Sequence, residues 1–64
     1  MTTISDRLWF RCVRTYADGR IEYLFPTDEK TAHTECIASP ETVVKIELQE
    51  LEGSDWITTA TMTL

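Results

Sequence analysis

A chain of 64 residues with 42% apolar and 27% charged side chains is enough for one domain, near the lower size limit for a self-sufficient core, and is not the composition of a disordered segment. No apolar run approaches the roughly 20 residues that a membrane-spanning helix requires. The net charge of −5 opposes approach to nucleic acid and favours basic partners.

Residues 7–16 are rich in aromatic and β-branched types and predict a strand. Asp18-Gly19 then predicts a two-residue type I′ loop, with residues 20–25 returning as the second strand. That register sets Tyr16 opposite Ile21, Arg14 opposite Tyr23 and Cys12 opposite Phe25. Phe10, Cys12, Ile21, Tyr23 and Phe25 would share one face, and Trp9, Val13, Leu24, Arg11 and Glu22 the other. Pro26 ends the strand because it has no N–H to give to a ladder.

A short helix follows over 28–38, capped by Thr27 or Asp28, with Glu29 also suited to the positive end of its dipole. Ala32 and Cys36, with His33 and Ile37 beside them, form its inner side, and Ser39-Pro40 closes it. So short a helix must be held by packing on the sheet.

Residues 42–51 alternate, with Val44, Ile46 and Leu48 inward and Lys45, Glu47 and Gln49 outward. Residues 56–64 give a last strand, with Trp56, Ala60, Met62 and Leu64 on one face and Ile57, Thr59, Thr61 and Thr63 on the other. A two-residue Gly53-Ser54 loop would oppose Leu48 to Thr59. A three-residue loop ending at Asp55 instead pairs Leu48 with Ala60, Ile46 with Met62 and Val44 with Leu64, and matching core to core selects it.

The expected fold is α+β, in the order β-β-α-β-β: a first hairpin over 7–25, the helix over 28–38 and a second hairpin over 42–64, forming a four-stranded antiparallel sheet with the helix on one face. The uncovered face would hold Trp9, Val13 and Leu24, together with Val43, Leu51 and Ile57, and apolar residues on an open face mark a second interface.

Catalysis finds little support. His33 and Cys36 could be neighbours on the helix, but the chain has no glycine-rich elbow and little volume for a cleft. Two cysteines 24 positions apart and one histidine do not make a zinc site, and no cofactor motif is present. The N-terminus lacks the basic-then-apolar layout of a secretory signal, so the expectation is a cytoplasmic protein with Cys12 and Cys36 reduced. Arg7, Arg11 and Arg14 with Trp9, Phe10 and Tyr16 have the composition of a base-stacking sheet, and a single-strand binder would use Arg11, Trp9 and Tyr23. The net charge argues against it.

The acidity is unevenly placed. Residues 1–26 carry four arginines against three carboxylates, whereas residues 27–64 carry two lysines against eight. Asp28 and Glu29 begin the helix, and Glu47, Glu50, Glu52 and Asp55 surround the second hairpin's tip. Spaced carboxylates on a rigid sheet can imitate a phosphate backbone and occupy a basic groove on another protein. In length, charge, element order and lack of an active-site signature, the chain resembles the small acidic inhibitors of bacteriophages and mobile elements, anti-CRISPR proteins and DNA mimics among them. The resemblance is one of type and shares no motif, so no family residue transfers. It implies a non-enzymatic inhibitor without cofactor or metal, binding a basic, nucleic-acid-binding surface of a partner protein through Asp28, Glu29, Glu47, Glu50, Glu52 and Asp55. The alternative is a homodimerising assembly module that uses the open face at Trp9, Val13 and Leu24.

Overall fold

The computed structural model describes residues 9–64, so the expected start of the first strand at Arg7 and Leu8 lies outside the described residues. Four strands, β1 (Phe10–Tyr16), β2 (Ile21–Tyr23), β3 (Val43–Glu52) and β4 (Asp55–Thr63), form one antiparallel sheet in the order β2-β1-β3-β4. The helix α1 (Glu29–Ile37) lies over β1 and β3. This is the α+β, β-β-α-β-β fold that the sequence predicts.

The first turn differs from expectation by one residue. Val13 lies opposite Tyr23 and Arg14 opposite Glu22, and the Tyr16 N–H donates to the Arg20 carbonyl at 2.8 Å. The loop therefore has three residues, Ala17, Asp18 and Gly19. A type I′ turn needs positive φ at both central residues, but only Gly19 adopts it, at φ 91°. Instead the Gly19 N–H closes a turn on the Tyr16 carbonyl at 2.9 Å, and the Asp18 carboxylate accepts from the Arg20 N–H at 2.9 Å. The slip reverses the faces of the second strand relative to the first. Ile21 and Tyr23 join Arg11 and Val13, whereas Leu24 donates to the Cys12 carbonyl and packs on the helix side. The return strand is also shorter than 20–25, and Phe25 stands 90% exposed beyond it.

Two further irregularities set the other faces. Thr15 pairs with Lys45 but Tyr16 with Val43, so Val44 is an extra residue on β3. Val43 consequently turns into the core at 1% exposure, and Val44, expected inside, is 38% exposed. On β4, Leu48 faces Ala60 while Gln49 faces Thr58, so Thr59 is the extra residue. The turn is in fact the two-residue Gly53-Ser54 loop, with positive φ at Gly53 alone, as a type II′ turn requires. The Thr59 bulge then restores the expected pairs Leu48–Ala60 and Ile46–Met62, and the Leu64 N–H donates to the Val44 carbonyl at 2.9 Å. Between turn and bulge the strand is inverted relative to expectation. Trp56 moves to the uncovered face, and Ile57 to the helix side.

The core is small. Cys12, Val43 and Ile46 form its buried cluster, with Tyr16, Leu24 and Cys36 packed against it. Ala32 is the buried residue of the helix, and Ile37 is exposed. Polar clasps hold the ends of α1 instead. Asp28 caps the first turn by accepting from the Thr31 N–H at 2.8 Å. At the other end Arg14 reaches from β1, donating from Nη2 to the Glu35 carbonyl and from Nε to Ser39 Oγ, both at 3.0 Å. A guanidinium there satisfies a free carbonyl and suits the negative end of the dipole, which has no basic residue of its own.

Because Val43 rather than Val44 fills the core, Val43→Ala should cost about 2 kcal/mol through lost burial and a residual cavity. Val44→Ala should stay within about 0.5 kcal/mol of wild type, as exposed substitutions do. Urea denaturation of the two variants checks the bulge: equal losses would mean that β3 pairs without it.

Candidate functional site: an arginine-aromatic face and an acidic end

The face of the sheet away from α1 carries the odd-numbered residues of β1 and, past the Val44 bulge, those of β3 from Lys45 to Leu51. Their side chains are organised around Arg11. Its guanidinium carbon lies 4.7 Å from the centroid of the Tyr23 ring and 4.3 Å from that of Trp56. Arg11 Nε donates to Gln49 Oε1 at 2.6 Å, Gln49 Nε2 donates to Thr58 Oγ1 at 3.2 Å, and the Thr58 hydroxyl donates to Glu47 Oε2 at 3.3 Å. A chain of polar contacts thus runs from β1 across β3 to β4, starting at the guanidinium that both aromatic rings contact. Each cation–ring contact contributes on the order of 0.5–1 kcal/mol at an exposed site. Val13 is buried on this face, between Tyr23 and Glu47 on its two neighbouring strands.

Of the predicted second interface, Trp9 and Val13 are on this face by alternation with Arg11, and Leu51 pairs with Trp9 there. Leu24, Val43 and Ile57 are not; the turn slip and the two bulges send them to the helix side. Trp56 and Tyr23 take their place around Arg11, which the sequence already sets on this face. A type II′ signal, glycine at the first position of a two-residue loop, was present at Gly53-Ser54 and points to Trp56 facing this way. The Thr59 bulge carries no such local signal.

The predicted acidic residues divide differently. Thr27 bridges to Phe10, and Phe10 lies opposite Glu50, so these three form a row across the sheet, about 10 Å long at 4.8 Å per strand. Asp28 and Glu29 follow Thr27 directly, and Glu52 and Asp55 close the β3–β4 turn just beyond Glu50. Five carboxylates from two distant segments therefore lie toward one end of an elongated molecule measuring 45 × 22 × 16 Å. Lys30 is the one basic residue in residues 28–30 and 50–55. Asp28 is held below the usual carboxylate range by hydrogen bonds from the Thr31 backbone and hydroxyl, so it stays anionic but is engaged as a cap. Glu47 is separate, in the middle of the opposite face.

At the other end, Arg14 Nη1 and Glu22 Oε1 are 3.5 Å apart, and the Tyr16 hydroxyl donates to the same oxygen at 2.6 Å. The Tyr16 hydroxyl and Arg14 hold Glu22 below its ordinary pKa. On the helix side His33, Cys36 and Ile37 line an open apolar groove of about 120 Å³ with Ile46, Leu48 and Met62. Cys12 and Cys36 are free thiols, and burial, with Cys36 adding to it, pushes the Cys12 pKa up to about 12. Such a thiol stays protonated and unreactive at neutral pH. Among the described residues no three His, Cys, Asp or Glu side chains are placed to hold a metal ion, and no helix is long and apolar enough to cross a membrane.

No protein-family model matches the chain, and neither a curated protein nor a solved structure matches it significantly. The site's own chemistry is therefore the basis for assigning a role.

Arg11→Ala should remove both ring contacts and the Gln49 bond, lowering stability by roughly 1–2 kcal/mol. Arg11→Lys should recover only part of this, since an ammonium cannot stack as a planar guanidinium does. Chemical denaturation with the near-ultraviolet circular dichroism of the aromatic residues measures both effects. Unchanged spectra in Arg11→Ala would mean that the rings are not held by the guanidinium.

Proposed function

We propose that the protein is a small binding protein, an inhibitor in type, whose acidic end docks on a basic, nucleic-acid-binding surface of a partner protein. One observation carries this reading: the fold brings Asp28 and Glu29 to the same end as Glu50, Glu52 and Asp55, although 20 or more residues separate the two groups in the chain. Carboxylates fixed on a helix terminus and a hairpin tip present a negative surface without much ordering cost on binding. Such a surface raises the association rate with a basic partner and competes with phosphates for the same cations. Glu47, on the other face, is not part of this contact.

A second reading concerns the Tyr23–Arg11–Trp56 face. Tyrosine, arginine and tryptophan are the residue types that dominate binding energy at protein interfaces, and here they are ordered before any partner arrives. This face supplies protein contact better than base stacking, because Arg11 already occupies one side of each ring. The net charge of −5 also opposes phosphate.

The test is capture of a partner from a bacterial lysate by immobilised protein, at low and at high salt, with nucleic acid as competitor. The partner should be held at low salt and be released by high salt or by nucleic acid. Changing Glu50, Glu52 and Asp55 together to Lys should weaken its binding by roughly tenfold or more, while Glu47→Lys should leave it nearly intact. Retention of the partner by the triple variant at wild-type affinity would refute the acidic end as the docking surface.

A further inference from the structure

The two edges of the sheet are built in opposite ways. The β2 edge is blunted: it is three residues long, contains Glu22, is preceded by Arg20 and leads to Pro26. Short length, charge and proline are the devices by which an edge strand avoids pairing with another chain. The β4 edge runs nine residues, from Asp55 to Thr63, and residues 56–64 contain neither a charged side chain nor a proline. It has one such device, the bulge at Thr59, which leaves residues 60–63 as a regular uncharged strand followed by Leu64.

The backbone of that segment has a defined polarity. The Leu64 N–H donates inward to Val44, so by alternation Met62 and Ala60 also bond inward, to Ile46 and Leu48. The N–H and C=O groups of Thr61 and Thr63 therefore point off the sheet, and no described residue pairs with them. On the helix side of this edge Met62 and Leu64 are more than half exposed, and Met62 lines the apolar groove beside Ile37.

We propose that residues 60–63 of β4, with Leu64 directly after them, are a self-pairing edge, at which two copies of this chain join antiparallel about a two-fold axis at Met62 to make one eight-stranded sheet. The outward N–H and C=O groups of Thr61 and Thr63, which match those of a second copy turned about a two-fold axis, select this occupant, and charge selects the orientation. Two chains of net charge −5 repel each other, and the edge over 56–64 is where they can approach without opposing ionised side chains. In the antiparallel arrangement the two acidic tips at Asp55 point away from each other. Seven residues on each side of the axis separate them by roughly 45 Å, at about 3.3 Å per residue. That is several Debye lengths, since one is about 8–10 Å at physiological salt. A parallel arrangement would bring the tips together. With the axis at Met62, Thr61 opposes Thr63 of the second copy, and the small Ala60 opposes the larger Leu64. Each copy's groove then continues into the other's across Met62. An edge of this kind is its own complement, because a two-fold interface applies the same surface twice. The inference does not rest on the acidic end and uses none of its residues.

Sedimentation of the full chain from low micromolar to near-millimolar concentration, with amide hydrogen exchange on the same samples, tests it. The mass should rise from 7.4 kDa toward twice that value. Exchange at Thr61 and Thr63 should slow at least about tenfold over the same range, as newly paired ladder amides do. Thr63→Pro removes an amide that only the second copy would use, and Thr61→Lys places a charge on the edge opposite Glu47 of its own sheet. Both should remain at 7.4 kDa throughout, and Thr61→Lys should keep the wild-type far-ultraviolet spectrum even if the proline disturbs the strand end. A wild-type chain that stays at 7.4 kDa overturns the proposal. So does a dimer in which Thr61 and Thr63 exchange as fast as in the monomer, or one that Thr61→Lys leaves intact.

Discussion

A pleated strand sends alternate side chains to opposite faces, and every other feature of this sheet depends on how that constraint is met. With strict alternation β3 could not bury Val43 and Ile46 together, since they are three residues apart. β4 could not place Ala60 and Met62 beside the helix and Trp56 against Arg11, because all three have the same parity. One extra residue at Val44 and another at Thr59 remove both conflicts. The first completes the core. The second changes the side on which the hairpin tip displays its tryptophan, and thereby creates the arginine-aromatic face.

Such a sheet has few buried side chains to stabilise it, and none of the strongly apolar helix surface that usually covers one. The helix contributes Ala32 to the buried set and leaves Ile37 in water. Its orientation is consequently set by polar groups at its two ends, the Asp28 cap and the reach of Arg14 to Glu35 and Ser39. These bonds are partly exposed and individually modest, of order 1 kcal/mol. What they add is direction. They hold α1 over β1 and β3, which leaves β4 uncovered on the helix side.

The element order was legible because each element has a local cause: aromatic and β-branched runs for the strands, Pro26 and Pro40 as stops, and Asp28 as a helix cap. The core pairs Leu48–Ala60 and Ile46–Met62 were legible from hydrophobic matching. The facing of Leu24, Val43, Ile57 and Trp56 was not, since each depends on a one-residue offset whose cause is non-local. At Gly53-Ser54 the turn chemistry favoured one register and the core another. The strand satisfies both by bulging between them, a solution that neither signal contains alone. The acidic end was half legible: the residue types and the hairpin tip can be read along the chain, but the placement of Glu29 at the same end of the sheet as Glu50 requires the Phe10–Thr27 bridge.

The three surfaces that result are physically distinct, and their separation follows from topology. Placing β1 in the interior of the sheet puts Arg11 mid-face, where rings from β2 and β4 can reach it from both sides. Returning the chain through Thr27 beside Phe10 sets the helix N-terminus at the end where the β3–β4 turn also lies, which concentrates negative charge there. Putting β4 outermost leaves a thread of threonine, alanine and methionine as the one long edge among the described residues. Charge at an end, aromatic rings on a face and bare backbone along an edge do not compete for the same area.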